Sequence, residues 1–79
     1  MDKLMVSCWL EIAKQENATH LMIVLDVMEH DTFPVYIYQN MDVNFTHSEY
    51  QTGLLRVLEI YNMNINIDEQ YKSIRAFNL

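Results

Sequence analysis

Apolar residues recur along this chain in two rhythms, and the changes of rhythm divide it into elements. Met5, Cys8, Trp9, Ile12 and Ala13 fall at i, i+3, i+4, i+7 and i+8, the spacing of one helix face. The alternation Val6, Cys8, Leu10, Ile12 also suits a strand. Helix is the better fit. Asp2 can cap its start, Lys14-Gln15-Glu16 would end a strand poorly, and Asn17 tolerates the left-handed conformation that stops a helix. Thr19 to Met28 is dense in branched apolar residues and reads as a buried strand. Glu29-His30-Asp31-Thr32 interrupts it, and Phe33 to Gln39 resumes as a second strand across a short gap that predicts a hairpin. Pro34 cannot donate to a ladder, so it belongs at that strand's start or on an edge.

Thr46-His47-Ser48-Glu49 has the spacing of a capping box. Behind it Tyr50, Leu54, Val57, Leu58 and Tyr61 recur at i, i+4, i+7, i+8 and i+11, which predicts the strongest helix of the chain. Gly53 falls inside that helix at a cost of about 1 kcal/mol relative to Ala, pointing to close approach of another backbone. Asn66 and Glu69 repeat the cap spacing before a short last helix faced by Ile67, Tyr71 and Ile74, with Phe77 tucking back onto the core. The expected fold is a single small α+β domain over residues 1–79: a helix, a two-stranded antiparallel hairpin and two helices.

That arrangement leaves a problem of coverage. On the first strand Leu21, Ile23, Leu25 and Val27 point one way, and His20, Met22, Val24, Asp26 and Met28 the other; both sets are mainly apolar. A chain this short buries only about 60% of its extended surface. The hairpin sheet is therefore expected to be extended or covered by self-association, as a homodimer or higher assembly. The competing arrangement is a monomer with its helices split across both faces.

Composition narrows the class further. The chain has 79 residues, half of them hydrophobic, with one Gly and one Pro, so it is neither disordered nor collagen-like. No apolar run is long enough to span a membrane and no secretory signal is recognisable, which together with the lone Cys8 favours a reducing cytoplasm. Residues 15 to 55 contain six acids and no Lys or Arg, while the rest balances five acids with five bases, so the net charge of −6 belongs to the middle of the chain. Nucleic acid and anionic membrane need clustered cations and are unsuited partners. The acids either keep a small protein dispersed or attract a basic partner protein.

No residue constellation names a reaction. His20, Asp26, His30, Asp31 and His47 lack metal-ligand spacing, no cofactor motif occurs, and the serines and Cys8 have no nucleophile signature. His20 and Asp26 share a strand face, six residues and roughly 20 Å apart, too far to act as a pair. Asp26 stands out as a carboxyl group inside an apolar run, which needs a partner. Tyr36 and Tyr38 share one face of the second strand and suit an interface or a stacking platform. Were Arg56 and Arg75 to converge on them, the four would form a site for a phosphorylated, nucleotide-type ligand.

Ala18-Thr-His-Leu-Met-Ile-Val-Leu-Asp26, followed by Phe33-Pro-Val-Tyr-Ile37, resembles a family of small, uncharacterised bacteriophage accessory proteins. The likeness continues through Leu55-Arg-Val-Leu-Glu-Ile-Tyr61, Ile67-Asp-Glu-Gln70 and Arg75-Ala76, covering most of residues 9 to 77. These motifs are structural signatures. The resemblance implies a non-catalytic protein of the bacterial host cytoplasm that binds a host protein, as an antagonist of host defence or host machinery. The alternative is a homo-oligomer that sequesters a nucleotide-type signalling ligand at a subunit interface.

Overall fold

The computed structural model describes residues 3–79, so the cap expected at Asp2 lies outside the described residues. The elements are α1 (Lys3–Gln15), β1 (His20–Asp26), β2 (Asp31–Ile37), α2 (Val43–Tyr50), β3 (Leu55–Asn62) and α3 (Ile67–Lys72). The fold is α+β, with a three-stranded antiparallel sheet in the order β2-β1-β3. This corrects the expected two-stranded hairpin, since residues 55–62 form a strand where a helix was predicted.

A bulge explains the difference. Ile23 of β1 faces Glu59, but Val24 faces Val57, which leaves Leu58 as an extra residue on β3. Val57 and Ile60 therefore reach the same face although three positions apart, while Tyr61 joins the opposite face. Spacings of three and four imitate a helical period. The capping box is also displaced: Asp42 is the N-cap of α2, its side chain accepting from the Asn44 and Phe45 amides at 2.9 and 3.2 Å. Thr46 is buried inside α2 and its hydroxyl donates to the Asp42 carbonyl at 2.8 Å. Gly53 sits in the following turn at φ +62, with open space where a Cβ would stand. Left-handed backbone, rather than close approach, is what calls for glycine there.

Other local readings agree with the structure. Asn17 is left-handed at φ 58. The Ala18 amide donates to Ala13 and the Asn17 amide to Lys14, the two bonds of a Schellman stop. Asn66 caps α3 by accepting from the Glu69 amide at 3.0 Å. The buried side of α1, however, is Val6, Leu10 and Ala13, with Trp9 half-buried beside them. Met5, Cys8 and Ile12, expected in the core, are exposed. Ile67 and Tyr71 pack inward from α3, but Ile74 lies past its end and is fully exposed. Phe77 bridges to Ile60 through its backbone, its ring remaining partly open to solvent.

The helices divide between the two sheet faces. Leu21, Ile23 and Tyr61 are buried with Val6, Leu10 and Ala13, and α3 contributes Ile67 and Tyr71 to that face. Met22, Val24, Val35, Ile37, Val57 and Ile60 form the other core, against which Val43 and Tyr50 of α2 pack. Leu21 to Val24 have no exposed surface at all. The sheet is thus extended by β3 and covered by the chain's own helices, and the shortage that called for a second copy does not exist.

Both sheet edges are blunted. On β3, Ile60 donates to the Ala76 carbonyl at 3.0 Å and accepts from the Asn78 amide at 2.9 Å. Met22 pairs with Ile60 on one side and Val35 on the other. Because Ile60 turns its backbone outward, the ladder alternation turns Val35 inward and Pro34 outward. Pro34 therefore removes a donor from the free edge of β2, a protection against strand addition.

Candidate functional site

The six residues singled out in the sequence are spread across the sheet. His20 and Asp26 occupy opposite ends of β1. Tyr36 lies on β2 and Tyr38 just past its end, both against the α1 face, where the Tyr38 hydroxyl donates to Glu16. The hydrogen bond to Glu16, with some burial and the Glu16 charge, raises the Tyr38 phenol above its ordinary range; burial, then the Glu16 charge, raises Tyr36. Arg56 and Arg75 lie across β1 from the tyrosines, and two strand spacings put β3 about 10 Å from β2.

Both guanidinium groups are occupied by carbonyls. Arg56 donates from one nitrogen to Gly53 at 2.8 Å and Leu55 at 2.7 Å. Arg75 donates through Nε to Leu58, the bulged residue, at 2.6 Å and lies 4.5 Å above the Phe77 ring. Phe77 in turn meets the His47 ring edge-on at 5.5 Å. Within one chain the tyrosines and arginines do not converge on a phosphate-sized site.

Asp26 finds its partner in the backbone. Its carboxyl oxygen accepts from the Met28 and Glu29 amides at 3.0 and 3.2 Å, shaping the hairpin turn in which His30 takes φ 57. The oddity that marked it in the sequence is a turn requirement.

His20 is the one candidate with an unmet need. The Thr19 hydroxyl donates its only proton to the Ile37 carbonyl at 3.1 Å, so Nδ1 of His20, 3.0 Å from that hydroxyl oxygen, must be the donor. Nε2 is then a bare acceptor, buried and without a partner. Burial lowers the imidazole's affinity for a second proton. The folded state therefore binds fewer protons here than the unfolded chain, and stability falls as pH drops through the unfolded value of about 6.5. Chemical denaturation at pH 7.5 and 5.5 should show a loss, at most about 1 kcal/mol after screening by solvent. His20→Leu should remove that component.

The structure also brings forward two polar residues that sequence reasoning passed over. Glu59 is 2% exposed; its Oε1 accepts from the Tyr61 hydroxyl at 3.0 Å and its Oε2 from the Ala76 amide at 3.1 Å. Gln70, 6% exposed, bonds both backbone groups of Asn62. The available signal was an acid flanked by Leu58, Ile60 and Tyr61, the same oddity that drew attention to Asp26.

A concavity of about 630 Å³ opens at the His20 end of the sheet between Lys14, Asn17, Thr19, Gln39, Met63 and Asn64. Its one cation, Lys14, pairs with Glu11 at 3.4 Å. Among the described residues no group of His, Cys, Asp or Glu is arranged to hold a metal, and no helix is long and apolar enough to cross a membrane. No protein-family model, no curated protein and no solved structure matches the chain.

Proposed function

We propose that this chain is a non-catalytic binding protein whose acidic hairpin end docks on a basic surface of a partner polypeptide. The observation that carries the reading is the placement of three carboxyl groups at one end of the sheet. Asp26 and Asp31 stand directly opposite each other in the β1–β2 ladder, and Glu29 lies in the turn between them. Like charges facing across strands cost a few tenths of a kcal/mol to about 1 kcal/mol. Asp26 is accounted for by the turn amides it accepts from, but Glu29 and Asp31 have no side-chain partner among the described residues. The Val27 amide donates to the Leu54 carbonyl at 2.9 Å, so the 51–54 turn lies beside the hairpin. Met28 and Leu54 are exposed there. Apolar side chains beside three carboxyl groups suit an interface whose acidic rim steers its partner, the Arg56 guanidinium at this end being held by the Gly53 and Leu55 carbonyls.

The resemblance to small bacteriophage proteins makes a host polypeptide the partner to test first. Co-purification from bacterial cells should compare the wild type with the double variant Glu29→Lys, Asp31→Lys. Retention of a host protein that falls at least tenfold in the variant, and falls steeply with salt, supports the reading. Equal retention by the two proteins would defeat it. Titration calorimetry against a nucleotide panel addresses the alternative, and micromolar binding of any nucleotide would replace host-protein docking with ligand sequestration.

A further inference from the structure

The α1 helix presents two apolar stripes, and the fold uses only one of them. Val6, Leu10 and Ala13 enter the core. Leu4, Met5, Cys8 and Ile12 remain on the outer side, with Leu4 73%, Met5 46% and Ile12 39% exposed and Cys8 exposed beside them. The geometry points to this outer ridge as a two-fold contact between copies of the chain, with α1 crossing α1 of the second copy at Cys8.

Three features argue for a second copy as the occupant. Leu4, Cys8 and Ile12 are spaced four apart, the ridge that interdigitates with its like in the commonest helix-packing class, crossing near −50°. The ridge also reads the same in both directions, with a small residue at the centre and a large apolar one four positions away on either side. A two-fold axis through Cys8 therefore sets Leu4 of one copy on Ile12 of the other, the self-complementarity that an isologous interface needs. Finally, residues 3–15 carry Lys3, Glu11 and Lys14, against six acids and no Lys or Arg between residues 15 and 55. Two copies approaching through α1 avoid the acid-to-acid repulsion that any contact through the middle of the chain would meet.

The patch is smaller than the roughly 800 Å² per partner of a standard interface, so the dimer is weak and concentration-dependent. Sedimentation equilibrium from low micromolar to near-millimolar protein should show the mean mass rising from 9.4 kDa toward twice that value. Ile12→Glu and Leu4→Glu, both at exposed positions, should hold the protein monomeric with unchanged melting curves. A short bis-maleimide should join Cys8 to Cys8 in the wild type at least fivefold more efficiently than in Ile12→Glu. A wild type that stays monomeric at near-millimolar concentration overturns the inference and leaves the ridge to a different protein. Equal dimerisation of wild type and Ile12→Glu overturns it in favour of another face. Neither variant touches the hairpin acids, so this outcome is read independently of the host-protein assay.

Discussion

Glu59→Ala should lower stability by about 3–4 kcal/mol through the loss of a buried acceptor for two donors. For a domain of this size that corresponds to a fall in melting temperature of about 15–25 °C. The Ala76 amide and the Tyr61 hydroxyl both lose their acceptor, and neither has water to turn to, since Tyr61 and Ala76 are buried in the α1-side core. The truncation also leaves a void against Ile23, which faces Glu59 in the ladder. Glu59→Gln separates volume from acceptance. Its amide oxygen can still accept from Ala76 while its NH₂ donates to a reoriented Tyr61 hydroxyl, so its expected cost is only about 1 kcal/mol. Thermal melts of both variants and of Tyr61→Phe check the assignment. A Gln variant as unstable as the Ala variant would mean that charge, rather than hydrogen-bond geometry, holds this network.

The same network has a signature at high pH. Burial, reinforced by the charge of Glu59 and the hydrogen bond to it, pushes the Tyr61 phenol far above its ordinary range. The folded state then holds a proton that the unfolded chain releases near pH 10, so stability is full below that value and declines as pH rises beyond it. Tyr61→Phe should lessen that alkaline decline, leaving the smaller part due to Tyr36 and Tyr38, even while lowering stability at neutral pH.

How much of this was legible in the sequence depends on whether a residue's role is local. Asn17, Asn66 and the β1–β2 hairpin were readable because their chemistry acts within a few positions: a left-handed stop, a cap, a turn between two branched apolar runs. The α1 helix was legible in existence but not in rotation. It carries two apolar stripes, and only the sheet beneath decides that Val6, Leu10 and Ala13 face inward rather than Met5, Cys8 and Ile12. β3 was hidden by its own irregularity, since the bulge at Leu58 turns alternation into three- and four-residue spacing. That error propagated to the candidate site. With residues 55–62 placed on a helix, Glu59 was passed over, and its burial between β3 and the C-terminal segment went with it. The acid that was noticed, Asp26, turned out to serve the turn that follows it.

Gln70→Ala should cost about 2 kcal/mol, because this one side chain substitutes for the next strand of the sheet and removing it leaves both half-buried backbone groups of Asn62 without their partner. Its Oε1 accepts from the Asn62 amide at 2.7 Å and its Nε2 donates to the Asn62 carbonyl at 2.8 Å, reproducing the paired bonds that a neighbouring strand would make. Nε2 also reaches the Asn66 carbonyl at 3.2 Å, and Oε1 also accepts from the Asn78 side chain at 3.0 Å. One amide thus ties together the end of β3, the start of α3 and the C-terminal segment. Gln70→Glu is nearly isosteric, but it sets an acceptor against the carbonyls of Asn62 and Asn66, so it should destabilise as much as Ala does. Gln70→Met keeps the volume with no polar atoms and should match the Ala variant if bonding, rather than filling, is what matters. Urea midpoints at constant m-value measure the loss. Hydrogen exchange locates it: the Asn62 amide should lose protection first, while the Met22 and Val24 amides of the central strand follow global unfolding. If Gln70→Met proves as stable as the wild type, the edge of β3 is held by packing and by the Ala76–Asn78 bridge alone.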